Sequence, residues 1–212
     1  CRGRGVFPFE VVPGVTAGIA VPAYAGIPVT HRGMATSVTL ITGHNRENEP
    51  GKRLALDNIA LTGTLVFYMG VKNLPTVVDE LRRVGRPAAT PAAVIEWGTY
   101  GRQRTVLATL DTLVARCAEA GVQPPAVVVV GEVARLHEAI PWFERRPLFG
   151  KRIAVTRSRS QASELVRALR AMGADVFEFP TIQIMPAETL DDFGYIGDYD
   201  WIVFTSVNGV DM

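Results

Sequence analysis

Short apolar segments alternate with amphipathic segments along most of the chain, which is the pattern of an α/β protein. Helices are predicted over residues 16–25, 73–85, 111–121 and 160–173, the last three each ending at a glycine and the last capped by Ser160. Strands are predicted at residues 9–12, 37–42, 65–68, 93–96, 105–108, 126–130, 153–156, 175–179 and 201–204. The segment 140–150 contains two prolines, a glycine and three charged residues, and it is predicted to link two units.

Composition narrows the classes of function. The chain has 212 residues, enough for a sizeable core, and its 22 basic and 21 acidic residues give a net charge of +1. That balance argues against a protein that coats nucleic acid. The basic residues comprise 19 arginines and 3 lysines, and a planar guanidinium pairs bidentately with carboxylates. Two cysteines make no disulfide framework, which favours a reducing, cytoplasmic location, and no apolar run reaches the roughly 20 residues of a membrane span.

Ligands of open α/β sheets bind beyond the carboxyl ends of strands, and small or polar residues stand at several predicted ends. These ends carry Gly14, Thr16, Gly43, His44, Met69, Gly70, Gly98 and Thr99 before the linker, and Arg157, Thr205 and Ser206 after it. The chain has no G-x-G-x-x-G, which disfavours a nicotinamide-dependent reductase. It also has no phosphate-binding loop, no G-x-S-x-G elbow and no pair of histidines or cysteines at metal-ligand spacing, so no metal site is expected. This pattern agrees best with a protein that binds an organic cofactor, which itself supplies the reactive group.

Several segments, in order and at matching separations, resemble uroporphyrinogen-III C-methyltransferases, which are tetrapyrrole methylases. The resemblance covers about residues 6–145 and rests on residues 9–17 (FEVVPGVTA), 23–32 (AYAGIPVTHR), 42–44 (TGH), 64–70 (TLVFYMG), 95–99 (IEWGT) with Gln103-Arg104, and 130–133 (VGEV). Residues 150–157 and 200–210 are similar to the first conserved segments of uroporphyrinogen-III synthase, which is known fused to this methylase.

The resemblance implies a two-part activity. The methylase part would transfer methyl groups from S-adenosylmethionine to uroporphyrinogen III, giving precorrin-2 for sirohaem and cobalamin. The synthase part would cyclise hydroxymethylbilane without a cofactor. Both substrates are anionic tetrapyrroles or their linear precursors, and the methylase is expected to form a homodimer. Nucleic acid and membranes are not expected partners.

The resemblance also assigns roles to residues of this chain. The expected cofactor-binding residues are Thr16, Ala17, Met69, Gly98 and Ala126. The expected substrate-binding residues are Arg32, His44, Arg157, Thr205, Ser206 and Asn208. No catalytic residue is assigned.

The chain departs from the family in lacking the Gly-Pro-Gly-Asp-Pro-like and Gly-Gly-Asp-Pro loops. We therefore expect an α/β fold that holds the C-terminal part of a two-domain methylase and an incomplete βαβ synthase domain. The expected division is 1–27 (end of the first methylase domain), 28–142 (second methylase domain), 143–150 (linker) and 151–212 (start of the synthase). Such a fragment is expected to be inactive or nearly so. The alternative is a pair of non-catalytic α/β binding modules that keep only the scaffold.

Overall fold

Two β-sheets with flanking helices organise the part of the chain described by the computed structural model, which comprises residues 10–43, 56, 59, 63–157, 159–181 and 196–204. The strands are β1 (Val38–Thr42), β2 (Thr64–Tyr68), β3 (Pro91–Glu96), β4 (Arg104–Thr109), β5 (Ala126–Val130), β6 (Arg152–Val155) and β7 (Asp175–Glu178). The α-helices are α1 (Ala17–Tyr24), α2 (Leu74–Arg83), α3 (Leu113–Glu119) and α4 (Arg159–Ala171), and 3₁₀ turns cover Glu132–Glu138 and Ile196–Asp198. This arrangement confirms the predicted α/β class.

The directions of the strands bring several strand ends to the same edge of the larger sheet, whose strand order is β1-β2-β5-β3-β4. β1 and β2 are parallel, whereas β5 runs antiparallel to both β2 and β3. Tyr68 pairs with Val127 and Glu96 pairs with Ala126. The carboxyl ends of β1, β2 and β3 therefore share an edge with the beginning of β5.

The central strands are buried on both faces, as continuous apolar runs predict. All six residues of β3 and four of the five in β2 are buried. One face packs against α2 and α3, and its fully buried members include Leu65, Phe67 and Leu81. The other face packs against α1 and the 3₁₀ turn through Val21, Ile95 and other small apolar residues. The core thus fills both sides of the sheet and leaves its strand ends accessible.

Helix α2 shows how closely local sequence and structure agree. Its buried residues Leu74, Val77, Val78 and Leu81 recur at helical spacing and form one face. The helix is followed by Gly85 in the left-handed region, at φ 94°. Because a side chain with a Cβ is disfavoured there, glycine ends the helix as predicted.

Three predicted elements differ from the structure. Residues 10–12 of the first predicted strand form no strand, and neither do residues 201–204, whose apolar side chains are exposed. An apolar run forms a strand only where a neighbouring strand completes its hydrogen bonds, and neither segment pairs with one within the described residues. Ser160 lies inside α4, which begins at Arg159, so it is not the N-cap.

Burial governs the chemistry of Cys117 on α3. Its side chain is 6% exposed. Burial raises the pKa of the thiol to about 11, with a smaller opposing effect of Arg104 and a further rise from Glu96. The thiol is therefore protonated at neutral pH and belongs to the core.

The smaller sheet forms a second unit with its own small core. β6 and β7 are parallel and α4 crosses over between them, burying Val155 and Val166 together with Ile153, Leu169 and Val176. A short segment after the 3₁₀ turn joins this unit to the larger one. Its Trp142 indole donates to the Ala23 carbonyl at 2.8 Å, and its Leu148 amide donates to the Met172 carbonyl at 2.9 Å. The segment predicted as a linker is thus packed against both units.

Two general features of the described residues bear on function. None of the helices within them combines the length and the apolar character that crossing a bilayer requires. Their histidine, cysteine, aspartate and glutamate side chains form no cluster of three or more that could hold a metal ion.

Candidate functional site

The shared edge of the larger sheet gathers four of the five residues expected to bind a cofactor. Met69 follows β2, Gly98 lies two residues after β3, and Ala126 begins β5. Thr16 immediately precedes α1 and reaches this edge through its hydroxyl, which is hydrogen-bonded to that of Tyr68, the last residue of β2. The fifth, Ala17, is the first residue of α1 and is exposed beside Thr16. We call this region the strand-end edge.

Tyr68 fixes the start of α1 over the sheet. Its hydroxyl accepts a hydrogen bond from the Gly18 amide at 3.1 Å in addition to its bond with Thr16. A Cβ at Gly18 would lie 2.3 Å from the Tyr68 hydroxyl oxygen and 2.9 Å from Cδ2 of Leu40. Only glycine therefore allows the helix to approach this closely.

Backbone conformation at the edge is unusual. Met69, Trp97 and Thr99 are the non-glycine residues with positive φ in the described part of the chain, at 52°, 50° and 75°. Side chains with a Cβ are disfavoured in this region, so such conformations persist where surrounding structure enforces them, and they concentrate at functional sites. Met69 directly follows β2, Trp97 directly follows β3, and Thr99 is the third residue after β3. Met69 is 62% exposed.

Two glycines let the ends of β1 and β2 approach closely. A Cβ at Gly43 would lie 2.8 Å from Cα of Gly70 and 3.1 Å from the Tyr68 carbonyl oxygen. The Gly43 amide donates to that same carbonyl at 2.8 Å, which continues the ladder one residue beyond the strands.

Gly98 has a packing role that the sequence does not reveal. A Cβ built there would lie 2.4 Å from Cγ1 of Val21, a buried residue of α1. The glycine thus sets the distance between the β3 end and α1. Thr16 and Ala17 stand at the N-terminal end of the same helix. A shift of α1 caused by a change at Gly98 would therefore also move Thr16 and Ala17.

An ion pair between the buried Glu96 and the exposed Arg104 lies behind the edge, on the opposite face from α1. Glu96 is 6% exposed and accepts hydrogen bonds from Nε of Arg104 at 2.9 Å and from the Gln123 amide at 2.7 Å. Arg104 in turn donates to the Ala120 carbonyl at 2.7 Å. These bonds join the end of β3, the start of β4 and the end of α3. β3 leads directly into Trp97 and Gly98.

The predicted substrate-binding residues are more dispersed. Arg32 is exposed in a turn closed by reciprocal backbone bonds between His31 and Ala35, and this turn leads into the opposite end of β1. Arg157 is exposed two residues after β6, in the smaller unit. His44, Thr205, Ser206 and Asn208 lie outside the residues that the structure describes. The role of all six remains a prediction.

Sequence reasoning missed Tyr68 and Trp97. Tyr68 ends an apolar strand, and nothing in the strand pattern indicates that its hydroxyl meets a helix 50 residues earlier in the chain. Trp97 carries the guanidinium of Arg102 over its ring, 3.6 Å from the centroid. The Trp-Gly-Thr sequence after a buried strand was the available signal for a turn.

Comparisons with known proteins agree with this geometry. The model of the tetrapyrrole (corrin/porphyrin) methylases matches residues 2–114, slightly more than half of the chain. The chain belongs to the tetrapyrrole methylases. A second family model, uroporphyrinogen-III synthase HemD, matches residues 163–212 of this methylase chain. The matched range begins inside α4 of the smaller unit and continues past β7.

Two curated relatives of the methylase chain match nearly all of it. The porphyrin biosynthesis protein HemD of Ruminiclostridium josui is 40% identical over 97% of the chain. A uroporphyrinogen-III C-methyltransferase of Bacillus subtilis is 38% identical over 95% of the chain. The chain spans 42% of the length of each of these two relatives.

A solved structure resembles the chain over part of its length. It is a uroporphyrin-III C-methyltransferase from Thermus thermophilus complexed with S-adenosylhomocysteine, with a TM-score of 0.52 and 36% identity. The alignment covers 61% of this methylase chain and 53% of that chain. The likeness supports a methylase fold for the larger sheet and its helices.

The strand-end edge has the chemistry that S-adenosylmethionine requires. The cofactor presents a flat adenine, hydroxyl groups and a methionine chain with a positively charged sulfonium. The edge offers the exposed apolar side chains of Met69 and Val15, the hydroxyl of Thr16, and small residues at Gly98 and Ala126 that admit close approach. These residues fit the group.

Proposed function

We propose that this chain carries part of an S-adenosylmethionine-dependent methyltransferase that methylates uroporphyrinogen III at two carbons to give precorrin-2. The observation that carries the proposal is the convergence of Thr16, Met69, Gly98 and Ala126 on the strand-end edge. The Thermus thermophilus relative solved with S-adenosylhomocysteine supports the cofactor. The smaller unit, by its match to the synthase family, would belong to an activity that cyclises hydroxymethylbilane to uroporphyrinogen III.

Bound S-adenosylmethionine supplies a methyl group on a positively charged sulfur, which an electron-rich pyrrole carbon can attack directly. The chain needs to hold and orient the two molecules and exclude water. Thr16 and Ala17 would contact the cofactor from the start of α1, and Met69 would cover it with an apolar surface. The backbone at Gly98 and the small side chain of Ala126 would leave room beside it. Tyr68 would act through Thr16 by holding α1 in place.

The domain division proposed with this function follows the sequence prediction. Residues 1–27 would end the first methylase domain, 28–142 would form the second, 143–150 would link the two enzymes and 151–212 would begin the synthase. The match of the methylase model to residues 2–114 and of the synthase model to 163–212 supports two enzyme parts in this order.

The test is methyl transfer from labelled S-adenosylmethionine to uroporphyrinogen III by the protein at the length its gene encodes. We expect Met69→Arg to raise KM for S-adenosylmethionine at least tenfold, because a second positive charge would face the sulfonium. Met34→Arg is the matched control, since Met34 is 43% exposed and lies in the turn that leads into β1, so its KM should stay unchanged.

Equal KM values for the two variants would contradict the proposed cofactor site. No methyl transfer by the unaltered protein would contradict the proposed activity. Cofactor binding without any methyl transfer would favour the alternative, a binding module that retains only the scaffold.

A further inference from the structure

A cleft lies at the junction of the two units, next to the strand-end edge. Its volume is about 480 Å³, within the roughly 300–1,000 Å³ typical of small-molecule pockets. Tyr24, Tyr100, Phe143 and Arg146 of the larger unit and connecting segment form one side. Arg170 and Asp175 of the smaller unit form the other.

The junction that frames the cleft is tightly packed. Gly101 is buried, and a Cβ there would lie 2.4 Å from the Asp175 amide nitrogen and from the Gly173 carbonyl oxygen. The Gly101 carbonyl accepts a hydrogen bond from the Gly150 amide at 2.8 Å. Because backbone meets backbone at these contacts, the two sides of the cleft are held at a fixed separation.

Positive charge predominates around the cleft. Arg146 and Arg170 line it together with Asp175. Asp175 forms ion pairs with Arg102 and Arg152, each at 3.7 Å. Arg170 forms an ion pair with Glu178 at 3.0 Å. Four arginines against two carboxylates leave an excess of two positive charges, although the whole chain carries only +1.

Both lining arginines keep donors for a ligand. Arg146 donates from one nitrogen to the Ala171 carbonyl at 2.8 Å, and Arg170 donates from one nitrogen to Glu178 at 3.0 Å. A guanidinium has five N–H donors, so each bond uses one of them. An arginine fork with remaining donors is suited to bidentate recognition of a carboxylate.

Aromatic rings supply flat walls. Tyr24 and Phe143 pack edge to face with centroids 4.8 Å apart, and Arg146 stands 5.1 Å from the centroid of Phe143. Thr99 also lines the cleft, one residue after Gly98, so the cleft begins where the strand-end edge ends. A planar ligand could stack on the rings while its charged arms reach the arginines.

We propose that this cleft binds a pyrrole ring that carries two carboxylate arms. The anionic aromatic class follows from the cleft itself, whereas the choice of pyrrole rests on the proposed function. Arg146 of the connecting segment and Arg170 of the smaller unit each bind one carboxylate, and the ring lies against Tyr24 and Tyr100. Such a site takes one ring of a tetrapyrrole or of its linear precursor at the point where the two enzyme parts meet.

The test is isothermal titration calorimetry of the full chain at low ionic strength, with a pyrrole that carries one acetate and one propionate arm. We expect saturable binding of one molecule per chain, and no binding of the dimethyl ester of the same pyrrole. Arg170→Gln should weaken binding roughly tenfold or more, because it removes a charge-assisted bond. Arg170→Lys, which keeps the charge, should recover part of that loss. Arg167→Gln is the matched control, since this exposed arginine lies on the same helix outside the cleft.

Arg146→Gln should weaken binding to a similar degree, but it also removes the bond to Ala171, so Arg170→Gln is the decisive variant. Equal affinity of the diacid and its diester would overturn the proposal, as would unchanged affinity in Arg170→Gln or no binding at all. Methyl transfer reports on the proposed function separately. Binding of the pyrrole without methyl transfer would contradict only the function, and methyl transfer without pyrrole binding would contradict only the cleft.

Discussion

Replacement of Glu96 by alanine is expected to lower the free energy of unfolding by about 2 kcal/mol. The carboxylate is buried and accepts from Arg104 and from the Gln123 amide. Without it the Gln123 amide loses its partner inside the protein, and the guanidinium of Arg104, which is 46% exposed, loses its counter-charge. Because these bonds join the ends of β3, β4 and α3, the loss should also loosen the segment that leads to Gly98.

Urea denaturation followed by tryptophan fluorescence measures this loss. Glu96→Gln keeps one oxygen acceptor and should cost about half as much. Asp111→Asn is the control, because Asp111 and Arg82 form an exposed pair on the surface and should contribute less than about 0.5 kcal/mol. Similar costs for Glu96→Ala and Asp111→Asn would show that the Glu96–Arg104 pair does not hold the strand ends together.

Replacement of Gly98 by alanine is the second change with a large expected effect. The added Cβ would lie 2.4 and 2.6 Å from the two Cγ atoms of Val21. Val21 is buried and β-branched, so it cannot rotate away, and α1 must shift instead. We expect a loss of about 2 kcal/mol in stability and a loss of about tenfold in affinity for S-adenosylhomocysteine, since α1 carries Thr16 and Ala17.

A double mutant separates packing from ligand contact. Val21→Ala removes the two Cγ atoms at 2.4 and 2.6 Å and leaves only the Val21 Cβ, at 2.9 Å from the new Cβ. Gly98→Ala with Val21→Ala should therefore be more stable than the two single costs predict, by at least about 1 kcal/mol. Affinity for S-adenosylhomocysteine should recover together with stability, because the Cβ points towards α1. Recovery of stability with affinity still low would show that the methyl group itself obstructs the cofactor, and that Gly98 does not act by setting the position of α1.

The regular elements were predictable because each depends on local pattern. Residues 126–130 form a buried apolar run between a proline pair and a glycine, and they became β5. Gly85 and Gly173 follow helices at φ 94°, where glycine is favoured. The apolar run at residues 201–204 was mispredicted for the complementary reason, since strand formation also needs a partner strand, which periodicity does not encode.

The candidate site was predictable only as a set of positions. The family resemblance selected Thr16, Met69, Gly98 and Ala126, but not the contacts that bring them together. Ala126 reaches the edge because β5 runs antiparallel to its neighbours, and strand direction cannot be inferred from an apolar run. The contact of Gly98 with Val21 joins residues 77 positions apart and becomes visible only when the helix is packed on the sheet.

The most direct test of the strand-end edge as the cofactor site is NMR of the chain labelled with ¹³C at its methionine methyl groups. S-adenosylhomocysteine is titrated in, and the Met69 signal is assigned by its disappearance in Met69→Leu. Met34 and Met172 are 43% and 39% exposed, follow different elements, and serve as controls in the same spectrum. We predict a saturable shift of the Met69 methyl signal with the other two unchanged. A saturable shift at Met34 or Met172 with Met69 unmoved, or no saturable shift at millimolar ligand, would contradict the assignment.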